Sequence, residues 1–104
     1  MRVALFKDHR FQVAELPTPQ PGPGQVLVRV RACGICGSDL HLYRGKVPGM
    51  EAGDILGHEF MGIVEDVGPA VTRVQRGDRV VVPFVIACGA CYFCERTLFS
   101  ACET

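Results

Sequence analysis

No apolar run in the sequence approaches the roughly 20 residues that a helix needs to cross a bilayer, which excludes a transmembrane helix. An excess of charge of either sign is also missing: eleven Lys and Arg balance eleven Asp and Glu. Without a net field, neither nucleic acid nor an anionic membrane is favoured as a partner. Nothing near the N-terminus reads as a targeting signal. Val3 to Phe6 is too short for the apolar region of a secretory signal and runs straight into Lys7 and Asp8, so the expected location is the cytoplasm. There is no internal repeat and no long amphipathic helix. A nucleotide-binding βαβ unit is absent as well. Gly22-Pro23-Gly24 is the nearest approach to a Gly-rich loop, and it lacks the third glycine and the following helix, so a plain turn is the better reading.

What is present fits a small globular domain. The 104 residues make one domain at most, and the composition, 48% hydrophobic and 21% charged, is ordinary for one. A chain of this size buries somewhat over 60% of its unfolded surface, which leaves modest stability to spare. The pattern is mostly strand and turn. Met1, Val3 and Leu5 share one parity, as do Phe11 and Val13, with Asp8-His9-Arg10 as the turn between them. Pro17 to Gly24 holds four prolines and two glycines and reads as a stiff surface connection. In the clearest strand, Val26, Val28, Val30 and Ala32 face one side while Gln25, Arg29 and Arg31 face the other. Ser38 to Arg44 is expected to form a short helix or turn, with Ser38 as N-cap and Gly45 closing it. Two β-rich runs follow, Phe60 to Val67 and Arg79 to Ile86, the second introduced by a turn at Gly77-Asp78. These elements imply a mainly β architecture, a partial barrel with short connections.

Six cysteines are many for a chain expected in a reducing compartment, so metal binding or redox chemistry is the first reading. Cys88, Cys91 and Cys94 are spaced by two residues each, and Cys102 follows after seven. Four thiolates can close a tetrahedral shell around zinc, and the two-residue gaps let a tight turn aim successive sulfurs at one ion. Disulfides between such near neighbours would be strained. An iron–sulfur run has its fourth cysteine after three residues, with proline next, whereas Glu103 follows here. A structural zinc in the lobe 88–102 fits best. Its closed shell leaves no position for water or substrate, so this metal holds a loop.

A second constellation comprises Gly34-Ile-Cys36-Gly-Ser38-Asp39-Leu-His41 and Gly57-His58-Glu59. Each half is weak alone. Cys33-x2-Cys36 has the spacing of a redox pair but no βαβ context, and a lone histidine is more often a surface residue than a ligand. Order and spacing, taken together with the cysteine lobe, change that weighting. The segments G-I-C-G-S-D-L-H, G-H-E-F-M-G and G-D-R-V-V-V-P and the spaced cysteines resemble, in order and over essentially the whole chain, the zinc-containing medium-chain dehydrogenase/reductase (alcohol dehydrogenase) family. H-L-Y-R-G, P-G-M-E-A-G-D-I-L-G-H-E-F-M-G and C-E-R-T-L-F-S-A-C look most like its formaldehyde dehydrogenase-like subgroup.

The resemblance implies a GroES-like partial barrel with a zinc-binding lobe. Residues 1–104 would be the N-terminal part of the catalytic domain, ending before a Rossmann domain. Cys36 and His58 would ligate a catalytic zinc, with Glu59 close by to help ligand exchange and a position open to the substrate. Zinc there polarises the oxygen of a small alcohol or aldehyde for hydride transfer with NAD or NADP. Asp39 would orient His58 by accepting its other ring N–H. Ser38 and His41 would form a proton relay through the cofactor ribose to water, histidine suiting the outer end because it titrates near neutrality. Relatives of full length form homo-oligomers. Two positions depart from the pattern: Gly37 stands where some liver-type relatives carry an arginine that contacts the cofactor, and Cys33 is extra, read as a small packed thiol pointing away from Cys36 along an extended strand. Two functions are therefore weighed: part of a zinc-dependent oxidoreductase, or a non-enzymatic zinc-binding module or inactive fragment. The open Cys36/His58/Glu59 set favours the first as ancestry. The missing dinucleotide fingerprint favours the second for these residues by themselves, and a nucleic-acid-binding zinc module fits poorly for want of a basic stripe.

Overall fold

The structure is a computed structural model that describes residues 1–8 and 10–103. Strands β1 (Arg2–Lys7) and β2 (Arg10–Glu15) form an antiparallel hairpin in which Phe6 lies opposite Phe11 and Lys7 opposite Arg10. Asp8 lies in the turn between them, and the middle of the expected turn, His9, lies outside the described residues. The parity read from the sequence holds only in part. Val3 and Leu5 are half-buried, but the most buried side chain of β1 is Phe6, on the opposite parity. The cause is a loop that docks on the end of the strand. Phe6 donates its N–H to the Asp54 carbonyl and accepts that of Gly53, and Leu5 bridges to Ile55. Strand β2 has no such cover, and Val13 is 79% exposed.

Strands β3 (Val26–Cys33), β4 (Phe60–Val67) and β5 (Arg79–Val82) form an antiparallel sheet with β4 in the centre. The alternation expected for β3 is broken by register shifts between Leu27 and Val28 and between Val30 and Ala32. A bulge adds one residue to one strand and so exchanges the faces beyond it. Val26, Leu27 and Val28 are accordingly all half-buried, while Val30 and Ala32 are exposed. Strand β4, with a neighbour on each side, carries the most deeply buried side chain, Val64. Strand β5 ends at Val82 rather than Ile86. Pro83 has no N–H to offer a ladder and restricts the residue before it, leaving Phe84 and Ile86 exposed. The expected turns are present. Gln25 donates its N–H to the Gly22 carbonyl, and Asp78 donates to Gln75 while its carboxylate accepts the Gln75 N–H.

The one α-helix among the described residues, α1, spans Gly37–Tyr43. Its N-cap is Cys36, not Ser38. Asp39, at the third helical position, accepts the Cys36 backbone N–H at 2.8 Å and so starts the helix two residues earlier. Gly45 closes it as expected, donating to the Leu42 carbonyl. Two single 3-10 turns, Cys94–Arg96 and Phe99–Ala101, shape the C-terminal lobe.

Backbone pairing holds this fold more than side-chain burial does. Only Phe6, Val64 and Cys94 are fully buried apolar residues among those described. The accessible surface is 7934 Å², against roughly 5,700 Å² for a compact monomer of this mass. Close backbone approaches therefore matter. A Cβ at Gly68 would lie 1.8 Å from the Gly22 carbonyl oxygen, whereas one at Gly37 meets nothing within 4 Å. Gly68→Ala is expected to cost about 2–3 kcal/mol because backbone must move. Gly37→Ala should be neutral or slightly stabilising. Urea unfolding of the two variants checks the contrast.

Candidate metal centres

The first centre gathers residues from two distant segments. At the end of β3 the chain leaves the strand, and Gly34 donates its N–H to the Glu59 carbonyl at 2.7 Å. That bond ties the turn before α1 to the segment entering β4. Cys36 at the helix N-cap and His58 just ahead of β4 then face each other, Sγ 3.3 Å from Nε2. Glu59 Oε1 is 3.9 Å from the same nitrogen. One ligand atom from each of Cys36, His58 and Glu59 lies within 4.8 Å of the other two. Sulfur and imidazole nitrogen bound to one tetrahedral zinc would stand roughly 3.6 Å apart, so the pair fits an ion between them.

Asp39 supports both partners from behind. It is 7% exposed. Its Oδ2 accepts the Cys36 N–H at 2.8 Å and its Oδ1 lies 3.3 Å from His58 Nδ1. With Nδ1 turned to a carboxylate, Nε2 is the nitrogen free for a metal. Ser38 lines a cleft of about 370 Å³ with Leu42, His58, Glu59 and Phe84. His41 is exposed on α1, one turn beyond Ser38, and does not line that cleft. The structure thus brings together Cys36, Ser38, Asp39, His58 and Glu59 and leaves His41 outside the group.

Phe84 was hidden to sequence reasoning because its apolar run reads as strand. Pro83 is the signal that could have released it. Cys33 lies outside the metal group, as expected, but is exposed rather than packed. The extended-strand argument for it also fails, because β3 stops at Cys33 and Cys36 belongs to the helix.

The second centre is local. Cys88, Cys91, Cys94 and Cys102 place their sulfurs within 4.8 Å of one another. All six cysteines are free thiols. Sulfurs around a tetrahedral zinc stand roughly 3.8 Å apart, and Cys88 and Cys94 are at 3.9 Å. Backbone N–H groups aim at the cluster: Cys91 donates to Cys88 Sγ and Cys88 donates to Cys102 Sγ, each at 3.3 Å. Burial, opposed by the Gly89 N–H and assisted by the neighbouring Cys91, Cys102 and Cys88 thiols, pushes the Cys94 thiol up to about 11. The Glu103 and Cys94 N–H groups hold Cys91 below the ordinary cysteine value. Since the thiolate is the reactive form, limited alkylation of the metal-free chain at pH 8 should label Cys91 faster than Cys94, on the order of tenfold or more. Peptide mapping by mass spectrometry reads the ratio, and equal rates would contradict the assigned environments.

Comparison with known proteins identifies the family and the fold. Residues 22–104 match the alcohol dehydrogenase GroES-like domain. The chain is 47% identical over 92 residues to the zinc-type alcohol dehydrogenase-like protein AdhB of Bacillus subtilis, covering 88% of this chain and 24% of that protein. Its fold superposes on alcohol dehydrogenase TADH from Thermus sp. ATN1 with a TM-score of 0.86 at 50% identity, covering 99% of this chain and 30% of that one. A cobalt- and zinc-bound thermostable alcohol dehydrogenase from Pyrobaculum aerophilum gives a TM-score of 0.86 at 40% identity, covering 100% and 32%. The chain therefore spans about a quarter to a third of the length of these relatives. With a mainly β GroES-like fold and a sequence match over most of its residues, this chain belongs to the zinc-type alcohol dehydrogenase family of medium-chain dehydrogenase/reductases.

Proposed function

We propose that residues 1–104 are the N-terminal, metal-holding part of a zinc-dependent oxidoreductase acting on a small alcohol or aldehyde with NAD or NADP. The observation that carries this reading is the convergence of Cys36, His58 and Glu59 on one point at the edge of a cleft. A zinc-binding module without chemistry needs only the four-cysteine lobe and has no use for a three-donor set beside a cleft.

Cys36 Sγ and His58 Nε2 would hold the catalytic zinc, with Glu59 near enough to exchange with an incoming ligand. Zinc in that position supplies a Lewis acid that polarises the substrate oxygen. Asp39 holds the proton of His58 on Nδ1 and fixes the ring plane. The Ser38 hydroxyl, which lines the cleft, would take up the substrate proton, and His41, one turn further along α1, would be its outlet. Exposed on the helix, His41 is suited to exchange that proton with water. Phe84 walls the cleft with an apolar ring. The Cys88/Cys91/Cys94/Cys102 shell would carry the structural zinc. The resemblance of segments 41–45, 48–62 and 94–102 to formaldehyde dehydrogenase-like enzymes supports a substrate of that class. Six free thiols suit a reducing, cytoplasmic setting, and the whole enzyme works as a homo-oligomer, with no nucleic-acid or membrane partner. No helix among the described residues is long and apolar enough to cross a membrane.

Metal content gives the first test. The purified 104-residue chain should hold close to one zinc, in the lobe, because the other centre offers only two strong ligands, Cys36 and His58, with Glu59 beside them. Cys94→Ser should remove it; unchanged zinc by elemental analysis would refute the lobe assignment.

Turnover gives the second. Hydride transfer needs the nicotinamide held against the substrate carbon, and such positioning supplies roughly 7–11 kcal/mol. Residues 1–104 alone should therefore show no zinc-dependent oxidation of formaldehyde or short primary alcohols. Joined to the remainder of a formaldehyde dehydrogenase-like enzyme, they should support it. In that chimera Cys36→Ser should abolish NADH or NADPH production while Cys33→Ser keeps most of it. Equal loss from both substitutions, or a zinc-loaded but inactive chimera, would sink the assignment.

A further inference from the structure

Gly57 directly precedes His58 and Glu59. Its φ is +115°, and a Cβ there would lie 2.9 Å from Cys33 Sγ. L-residues avoid that backbone region, so the position carries both a conformational demand and a spatial one. The Cys33 backbone is fixed by its pairing with Phe60 in the β3–β4 ladder, its exposed thiol donates to the Gly34 carbonyl at 3.4 Å, and Gly34 donates to the Glu59 carbonyl at 2.7 Å. The segment bearing His58 and Glu59 is thus held at its far end by the ladder. At its near end Gly57 rests against the Cys33 thiol. On its other side the His58 ring meets Cys36 Sγ at Nε2 and has the Asp39 carboxylate near Nδ1, each at 3.3 Å, although Asp39 Oδ1 makes no hydrogen bond at that separation. Meeting both at once leaves the ring little freedom to shift, and Gly57 is the joint that delivers it.

We propose that Gly57 is a positioning residue for His58, with the Cys33 thiol filling the space that a side chain at position 57 would need. The proposal rests on the reading of Cys36, His58 and Glu59 as a metal centre, which gives the positioning its purpose. It also gives Cys33 a role outside ligation, as the stop on the far side of the joint. A small residue at position 33 preserves the arrangement, while a side chain at position 57 displaces the ring. Removing the thiol relieves the crowding but not the backbone demand, so it should restore the ring position only in part.

The test compares Gly57→Ala, Gly57→Ala with Cys33→Ala, and Gly53→Ala in the 104-residue chain. Gly53 is the matched control, with φ +107° and nothing within 4 Å of its Cβ position. Long-range 1H–15N NMR of the metal-free proteins reads the His58 tautomer. Cadmium-113 NMR with added cadmium reads the four-sulfur and one-sulfur sites as separate resonances. The parent chain should hold His58 with its proton on Nδ1. Gly57→Ala should average the tautomers and weaken cadmium at the one-sulfur site roughly 10- to 100-fold, with the four-sulfur resonance unchanged. The double variant should recover part of both signals, and Gly53→Ala should match the parent. A parent ring that already averages, or a Gly57→Ala ring in the parent tautomer, overturns the proposal. So does loss of the four-sulfur resonance in Gly57→Ala, since Gly57 would then serve the fold as a whole. An absent rescue by Cys33→Ala refutes the part given to the thiol. Cys36, His58 and Glu59 bind weakly in this chain, so the one-sulfur resonance is sought with cadmium in large excess; if the tautomer results hold but it is still missing there, the metal reading fails and the positioning stands.

Discussion

Cys36 and His58 stand 22 residues apart in the chain, and the backbone ladder where β3 ends and β4 begins brings their side chains to 3.3 Å. Cys33 pairs with Phe60, and the Gly34 N–H extends the ladder by one bond to Glu59. Everything in the first centre hangs on that junction. α1 starts where it does because Asp39 captures the Cys36 N–H, and the same carboxylate then meets His58 across the junction. Oδ2 of Asp39 is used in the cap bond to Cys36, while the buried Oδ1, 3.3 Å from His58 Nδ1, makes no hydrogen bond among the described residues. A buried carboxylate without such partners would be costly.

Side-chain burial contributes less than is usual. One of the three fully buried apolar residues described is Cys94, a member of the cysteine cluster. The lobe therefore has a cluster of four thiols where a larger domain would have a hydrophobic centre. Structural zinc binds cysteine clusters with an apparent energy on the order of 10 kcal/mol, comparable to the whole stability of a small domain. An ion held by the four cysteines would therefore contribute more to the order of such a lobe than its packing does. The aromatic contacts around it agree. Tyr92 is 60% exposed, packs edge-on against Phe93, and is covered on one face by the Arg96 guanidinium.

Sequence reasoning succeeded where the chemistry is local and was less accurate where it depends on registration between strands. The four-cysteine spacing specifies a turn and a donor set within 15 residues, and the structure gathers the same four sulfurs. The bounds of β4, the turn at Gly77-Asp78 and the closing role of Gly45 were legible for the same reason. The bulges in β3 were not, because alternation in one strand contains no record of the partner's extra or missing residues. Ser38 looked like the N-cap because hydroxyl residues usually are. What overrode it was Asp39 reaching back to Cys36, a capping-box bond made from the third helical position. Cys36 and His58 lay between these cases. Their motifs are local and were readable by resemblance, but their mutual distance is a property of the β3–β4 junction.

The two centres differ in kind as well as in reach, and the difference follows from how the chain supplies donors. A tight loop can offer four sulfurs from one segment, and backbone N–H groups from the same turn stabilise them. The shell closes because nothing else competes for the space. Two segments meeting at a strand junction cannot converge so tightly, since each brings only the residues its own backbone direction allows. Here that yields one thiol, one imidazole and one carboxylate, with a cleft remaining between α1 and Phe84. An incomplete donor set beside open volume is what a reactive metal requires and a structural one avoids. The sheet, by joining ligands from separate segments, thus produces the openness that the cysteine lobe excludes.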